Sequence, residues 1–456
     1  MVADNKNTRA AISWIKSFEQ GVITWQAVES RILRYMSKYS QKLRDLEDRR
    51  LATLHDKILA IRDDPYWTRM WTYQEYQLAK SDPIGMSGRL TFDADLMVTL
   101  AEHRSILERW IGRGFRQIFS GRYRQNEIGK LRGLYGSRGR YRDESVLYHF
   151  RQTSHRQCKD PRDKVYALYS LLPSLQAQYP PEYKKSSGQV MHETTAYTLR
   201  KEGLEILNLF RLLGDRFSTC WTYPSWVLDL TSPTEHESDL FVAYNWWSSH
   251  QKLIPAITDD LSTMTIWARC ISVRFPVLQL GSTMPDIIKQ LVEVADVHNK
   301  SWGGLECRLI SLMHACLDFS DLEVDFGRDP CTKAKEIFDF LQRIADQGTH
   351  SIDDPLWKEL CDVFPANAGK TILDIHDSVV KGFAISGPDV RPGDVAVMDS
   401  GLPAPLILRP YHDDGELYYR LVDIAYIPLM SKRPRLNGTF DYLRYLERPP
   451  QVFSVR

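Results

Sequence analysis

The first group in this sequence with the right setting for chemistry is an acid on an aromatic stripe. In Asp64-Pro65-Tyr66-Trp67-Thr68-Arg69-Met70-Trp71-Thr72-Tyr73-Gln74-Glu75-Tyr76-Gln77-Leu78-Ala79, a helical period sets Trp67, Trp71, Glu75 and Leu78 on one side, with Gln74 at its edge. An unpaired carboxylate buried among indoles is costly. Glu75 therefore needs a specific partner such as an arginine, or else it lines a cleft as a weak catalytic candidate. Other chemical signals fail on spacing. Gly369-Lys370-Thr371 looks like the end of a P-loop, but Phe364 stands where that loop needs a glycine. His192-Glu193-Thr194-Thr195-Ala196 lacks the second histidine of a zinc-protease helix. The seven cysteines are scattered without a C-x-x-C pair, so free thiols are expected. No metal and no cofactor is expected.

A second segment, Cys158-Lys159-Asp160-Pro161-Arg162-Asp163-Lys164-Val165-Tyr166-Ala167-Leu168-Tyr169-Ser170-Leu171-Leu172-Pro173, reads as a helix with a strong start. Asp160 suits the N-cap, Pro161 the first turn, and Asp163 can reach back as in a capping box. Val165, Leu168, Tyr169 and Leu172 give the buried face. Helix initiation leaves Arg162 unexplained, so it is expected to pair with a carboxylate elsewhere, with Glu75 as a candidate.

Residues 109–142 carry ten Arg or Lys against one acid, Glu127, with seven interspersed glycines. Glycine this dense disfavours a long helix or strand, so a basic loop is expected. Its aromatics could stack on bases while its arginines hold phosphates, which makes nucleic acid one conceivable partner. A plain solvated connector is the alternative.

Around these segments, Trp25, Val28, Ile32, Met36, Tyr39, Leu43 and Leu46 recur at helical spacing. Helices are expected at 143–157, 161–173 and 188–203, strands within 263–280, and helices over much of 284–345. The short apolar runs of 380–430, broken by Gly, Pro and Asp, suggest a small antiparallel β-module. The expected class is α+β: helical through the N-terminal and central parts, with the β-module at the C-terminal end. At 456 residues, 43% apolar and 26% charged, the chain is long enough for more than one core, and its net charge of +1 steers it to no polyanion as a whole. No apolar run is long enough to span a membrane, and the N-terminus has no secretory h-region, so a cytoplasmic location is expected.

Arg-x-Trp-x-x-Gln-Glu-x-x-Leu-Ala, from Arg69 to Ala79, resembles the most characteristic block of the fungal heterokaryon-incompatibility (HET) domain family. Asp-Pro-Arg-Asp-Lys-Val-Tyr-Ala-Leu, from Asp160 to Leu168, looks like the block that follows it in those proteins. Tyr223-Pro224-Ser225-Trp226-Val227-Leu228-Asp229 is similar to their Leu-Pro-Ser-Trp-Val-Pro-Asp element. Gly387-Pro388, Arg391-Pro392-Gly393-Asp394 and Leu406-Ile407-Leu408-Arg409 resemble their C-terminal β-module. The resemblance implies an α/β HET domain, protein partners in incompatibility signalling, and growth arrest or cell death when unlike hyphae fuse. HET domains also look distantly similar to TIR domains, some of which cleave NAD, and by that analogy Glu75 would be the catalytic acid. The family's opening strand and Trp-Ile-Asp-x-Leu-Cys-Ile-Asn-Gln block do not occur. The expected division is therefore 1–108 as the later part of a HET-like domain without its first strands, 109–142 as the basic loop, 143–230 as a helical region, and 231–456 as a mixed region ending in the β-module. An interaction module using the basic loop, or an inactive remnant, are the alternatives.

Overall fold

A computed structural model describes residues 69–79, 84–87, 89–93, 145–153, 156–208, 223–231, 254–298, 330–347, 368–376, 381–398, 402, 404–425, 427 and 447–456. The repeat at 25–46, the Asp64-Pro65 start with Trp67, and the basic segment 109–142 lie outside the described residues. The chain divides into two units, Met1–Tyr183 and Lys184–Arg456. That boundary falls within the stretch 143–230, which the sequence presents as one helical region.

In the first unit, α1 (Met70–Gln77) buries Met70, Thr72, Tyr73 and Tyr76. Trp71, Glu75 and Leu78 do share one side, as their spacing requires, but it is the exposed side. The helix carries large side chains around its whole circumference, so periodicity alone does not select the buried face. A hairpin of β1 (Ile84–Ser87) and β2 (Leu90–Asp93) follows, where the sequence reading foresees no strand. Helix α2 (Val146–Thr153) buries Val146, Leu147 and Phe150, one apolar stripe. It also buries His149, whose Nδ1 meets the Tyr73 hydroxyl at 2.9 Å.

The helix expected over 161–173 is only one α-turn, α3 (Asp163–Tyr166). Beyond it the backbone winds by i to i+3 bonds: Leu168 N–H to Val165 O, Tyr169 N–H to Tyr166 O and Leu171 N–H to Leu168 O. Tertiary anchors explain the tightening. The hydroxyls of Tyr166 and Tyr169 are tied to the carbonyls of Glu182 and Tyr179, and every residue from Lys164 to Tyr169 is buried. Pro173 opens α4 (Pro173–Gln178), because a proline costs nothing at a first helical turn.

The second unit opens with α5 (Ser187–Glu202). Ser186 caps it by accepting the Gln189 N–H at 3.1 Å, and Gly203, at φ +84°, ends it. A six-stranded sheet then combines β3 (Ala256–Ile257), β4 (Met264–Ile271), β8 (Val395–Met398), β9 (Leu406–Asp413), β10 (Glu416–Ile424) and β11 (Gln451–Val455), antiparallel except where β10 meets β11. Strands β4, β8, β9, β10 and β11 close on themselves, since β11 pairs with both β10 and β4. Along β4, Met264, Ile266 and Ala268 point inward and Trp267 outward, the period-2 pattern of a half-buried strand. Asp414 and Gly415, both at positive φ, form the two-residue turn between β9 and β10, the twist a tight hairpin demands.

A second sheet has the order β5 (Val273–Gln279), β6 (Thr371–His376), β7 (Lys381–Ser386). Helices α6 (Met284–His298) and α7 (Pro330–Gln347) share its core through Ile287, Leu291, Ile337 and Leu341 against Ile372, Leu373 and Phe383. The chain combines helices with largely antiparallel strands, and is α+β. The β-module foreseen at 380–430 is divided between two sheets: β7 joins the second sheet, whereas β8, β9 and β10 belong to the larger one, completed by strands from residues 256–271 and 451–455.

Candidate functional site

Two constellations are built from the singled-out residues, one in each unit. In the first, the Arg69–Ala79 and Asp160–Leu168 segments meet. Trp71 Nε1 donates to Asp163 Oδ2 at 3.2 Å across 92 positions, and Gln74 Nε2 donates to Ser170 Oγ at 2.6 Å. The start of α1 is fixed by backbone: Met70 N–H donates to Gln157 O at 2.9 Å, and the Arg69 carbonyl accepts from buried Arg156 at 3.1 Å. Arg156 also donates to Thr72 Oγ1 at 3.0 Å and lies over the Tyr73 ring. Burial pushes the Tyr73 phenol well above its ordinary value, so this hydroxyl is a neutral hydrogen-bonding group at any physiological pH.

Arg162 finds its carboxylate in Asp160, two residues earlier, rather than in Glu75. Its Nε meets Asp160 Oδ1 at 2.9 Å and its Nη2 meets Oδ2 at 2.7 Å. Asp160 Oδ1 also accepts the Arg162 backbone N–H at 3.0 Å, so one side chain both starts the turn and holds the arginine. The hydrogen bonds from Arg162 hold the Asp160 carboxyl below its usual range. Pro161 is exposed at this turn. Asp163 makes no capping box. Its two oxygens take Trp71 Nε1 and the Tyr183 hydroxyl, the latter at 2.8 Å. Glu75 sits on the exposed side of α1, so the expectation of a carboxylate buried on an aromatic stripe is overturned, and so is that of a buried Trp71, which is 37% exposed.

In the second unit, Gly393, Asp394 and Arg409 form one structural joint. Gly393 turns the chain at φ +98°. Asp394 follows, buried, and accepts Arg409 Nε at 2.8 Å and Nη2 at 3.0 Å as well as the Arg391 N–H at 2.8 Å. Asp229 closes a local turn by accepting from the Thr231 N–H and hydroxyl. Trp226 is fully buried with the His192 ring 5.2 Å away, edge to face, and its indole N–H has no acceptor among the described residues.

Pro224 leads to a cleft that the sequence reading missed. It measures about 340 Å³ and is lined by His192, Tyr223, Pro224, Ser225, Asp260, Ser262, Tyr411, Arg420 and Arg456. Ser225 is a fastener here. Its hydroxyl donates to the Arg456 carbonyl and accepts the Leu421 N–H at 2.8 Å. Tyr223 lies flush against Gly188, where any Cβ would overlap its ring, and its hydroxyl meets Ser186 Oγ at 2.6 Å. His192 Nε2 donates to the carbonyl of Leu261, a non-glycine residue at φ +59°. Burial lowers the His192 pKa, so the ring is neutral and acts as a positioning donor. Asp260 accepts from the Thr258 hydroxyl at 2.6 Å and the Ser262 N–H at 3.0 Å, which draws its carboxyl down to about 2. Arg456 donates to Thr263 Oγ1, Asp413 Oδ2 and the Tyr418 hydroxyl, its guanidinium 3.5 Å above the Tyr418 ring. Arg420 lies over the Tyr411 ring at 5.0 Å.

These lining residues come from sites more than 200 positions apart, and only the Pro-Ser-Trp element gave a signal. Cys158 and Cys270 carry free thiols, and no cluster of metal-binding side chains occurs among the described residues. No family model, curated protein or solved structure matches the chain.

Proposed function

We propose that the chain acts in fungal heterokaryon incompatibility, as a factor that arrests growth and promotes cell death after unlike hyphae fuse, and that it works through protein partners rather than by turning over a substrate. The observation that carries this reading is the joint between Trp71 and Asp163, reinforced by Gln74 and Ser170. It seats the two most family-like blocks against each other, as segments retained for one shared structure would be. The pairing of Asp394 with Arg409, both in family-like elements, adds to it. A non-enzymatic role is supported by the exposed setting of Glu75 and by the full engagement of the Ser225 hydroxyl. No described helix is long and apolar enough to cross a membrane.

Inducible expression of the chain in a filamentous fungus tests the proposal. The expected result is growth arrest with loss of viability, abolished by Asp163→Ala at equal protein level. Undisturbed growth at confirmed expression rejects the reading.

A further inference from the structure

The cleft of the second unit has the composition of a ligand site and lacks the parts of a catalytic one. At about 340 Å³ it falls within the roughly 300–1,000 Å³ of small-molecule pockets. Its cations are held in place before any ligand arrives. Arg456 is fixed by Thr263, Asp413 and Tyr418, and Arg420 by the face of Tyr411. Each guanidinium has five N–H groups in a rigid fork, so donors remain on Arg456 beyond the three bonds it makes. Tyr223 and Tyr411 offer aromatic surface, and Tyr223 is immobilised by Gly188 and Ser186. The loop between β3 and β4 brings an acceptor, Asp260, locked by Thr258 and Ser262, beside the left-handed Leu261 whose carbonyl His192 holds. Backbone strain maintained by surrounding contacts is a feature of ligand clamps.

From this arrangement we infer that the cleft binds a planar-ring phosphate monoester, a nucleoside monophosphate in chemical class. The Arg420 guanidinium, together with the remaining N–H groups of Arg456, whose charge is shared with Asp413, suits a phosphate group. Tyrosine faces suit a flat base. The Asp260 carboxylate accepts hydrogen bonds from ring N–H or sugar hydroxyl groups and repels a second anionic end, which disfavours di- and triphosphates. With Ser225 committed to backbone groups and His192 committed to Leu261, neither nucleophile nor base is poised for transfer, so the ligand is bound and released unchanged.

Isothermal titration of the full chain with AMP, adenosine, ribose 5-phosphate and inorganic phosphate tests this. AMP is expected to saturate one site, with adenosine and inorganic phosphate each weaker by about tenfold or more. Arg420→Gln should weaken AMP by about tenfold or more, while Lys289→Gln, a remote exposed cation on α6, leaves it unchanged. Asp260→Asn, on an exposed loop, should narrow the preference for AMP over ribose 5-phosphate and serves if Arg420→Gln fails to fold by circular dichroism. The inference is overturned by absence of saturable AMP binding. It is equally overturned if adenosine or inorganic phosphate matches AMP, if Lys289→Gln weakens AMP as much as Arg420→Gln, or if Asp260→Asn leaves the preference intact.

Discussion

Arg409 lays its guanidinium across both oxygens of Asp394, 15 positions earlier in the chain, at 2.8 and 3.0 Å. The Asp394 side chain is 2% exposed and that of Arg409 is 23% exposed, so the pair is shielded on one side only. Removing the carboxylate by Asp394→Ala strands the fork and frees the Arg391 turn. The expected cost is about 3 kcal/mol, the lower end for a broken buried pair. Arg409→Lys keeps the charge and loses the two-pronged geometry, at a cost of roughly 1–2 kcal/mol. Urea unfolding checks both, and equal loss in the two variants would mean that the charge kept by lysine contributes nothing, which overturns this ranking.

Helix α1 supports a contrast between neighbouring aromatics. Tyr73 is fully buried and bonded to His149, whereas Trp71 is partly exposed and hydrogen-bonded to Asp163. Tyr73→Ala should cost about 3–5 kcal/mol, as for large core side chains. Trp71→Ala should cost roughly 1–2 kcal/mol, chiefly the lost bond to a charged acceptor. Thermal denaturation of the two variants gives the ranking, and a larger loss for Trp71→Ala contradicts this account of the helix.

Asp423 provides a pH dependence of known sign. Burial pushes its carboxyl up to about 6, against the opposing pull of hydrogen bonds from the Ile424 and Gly387 N–H groups. The Gly387 position is tight enough that a Cβ would overlap this carboxyl. A folded-state pKa above the unfolded value near 4 means that the folded chain holds the proton more firmly in that window. Stability from this group is therefore complete below pH 4 and is lost as pH rises through 6, by roughly 1–2 kcal/mol at a half-buried site. Melting temperatures of the wild type and Asp423→Asn at pH 4.5 and 7.5 check it. The wild type should compare more favourably at the lower pH, and a constant difference across the range would remove Asp423 from the account.

Local signals in the sequence located most of the elements. The helix expected at 188–203 is α5, and the strands expected within 263–280 are β4 and β5. What the sequence could not reveal depends on pairing between distant segments. Spacing alone does not select the side of α1 that faces the core, because Trp71, Tyr73 and Tyr76 nearly encircle so short a helix, and the core that chooses among them includes Tyr73's partner His149, 76 positions away. The partner of Arg162 is hidden in the sequence because hydrogen bonding within a three-residue turn leaves no periodic trace. The cleft was invisible for a related reason: Tyr411 and Arg420 lie on β9 and β10, Tyr223 in a bend and Arg456 just past β11, and only their pairing in space brings them together.

Closure of the β4–β8–β9–β10–β11 ring by its last strand has a consequence for how the chain reaches its folded state. Strand β4 is synthesised some 180 residues before its partner β11, and until residues 451–455 emerge, β4 presents an unsatisfied row of backbone donors and acceptors along the edge that β11 covers. Completion of the ring is thus a late, long-range event, and a nascent chain stalled before residue 451 is a ready template for strand-to-strand association.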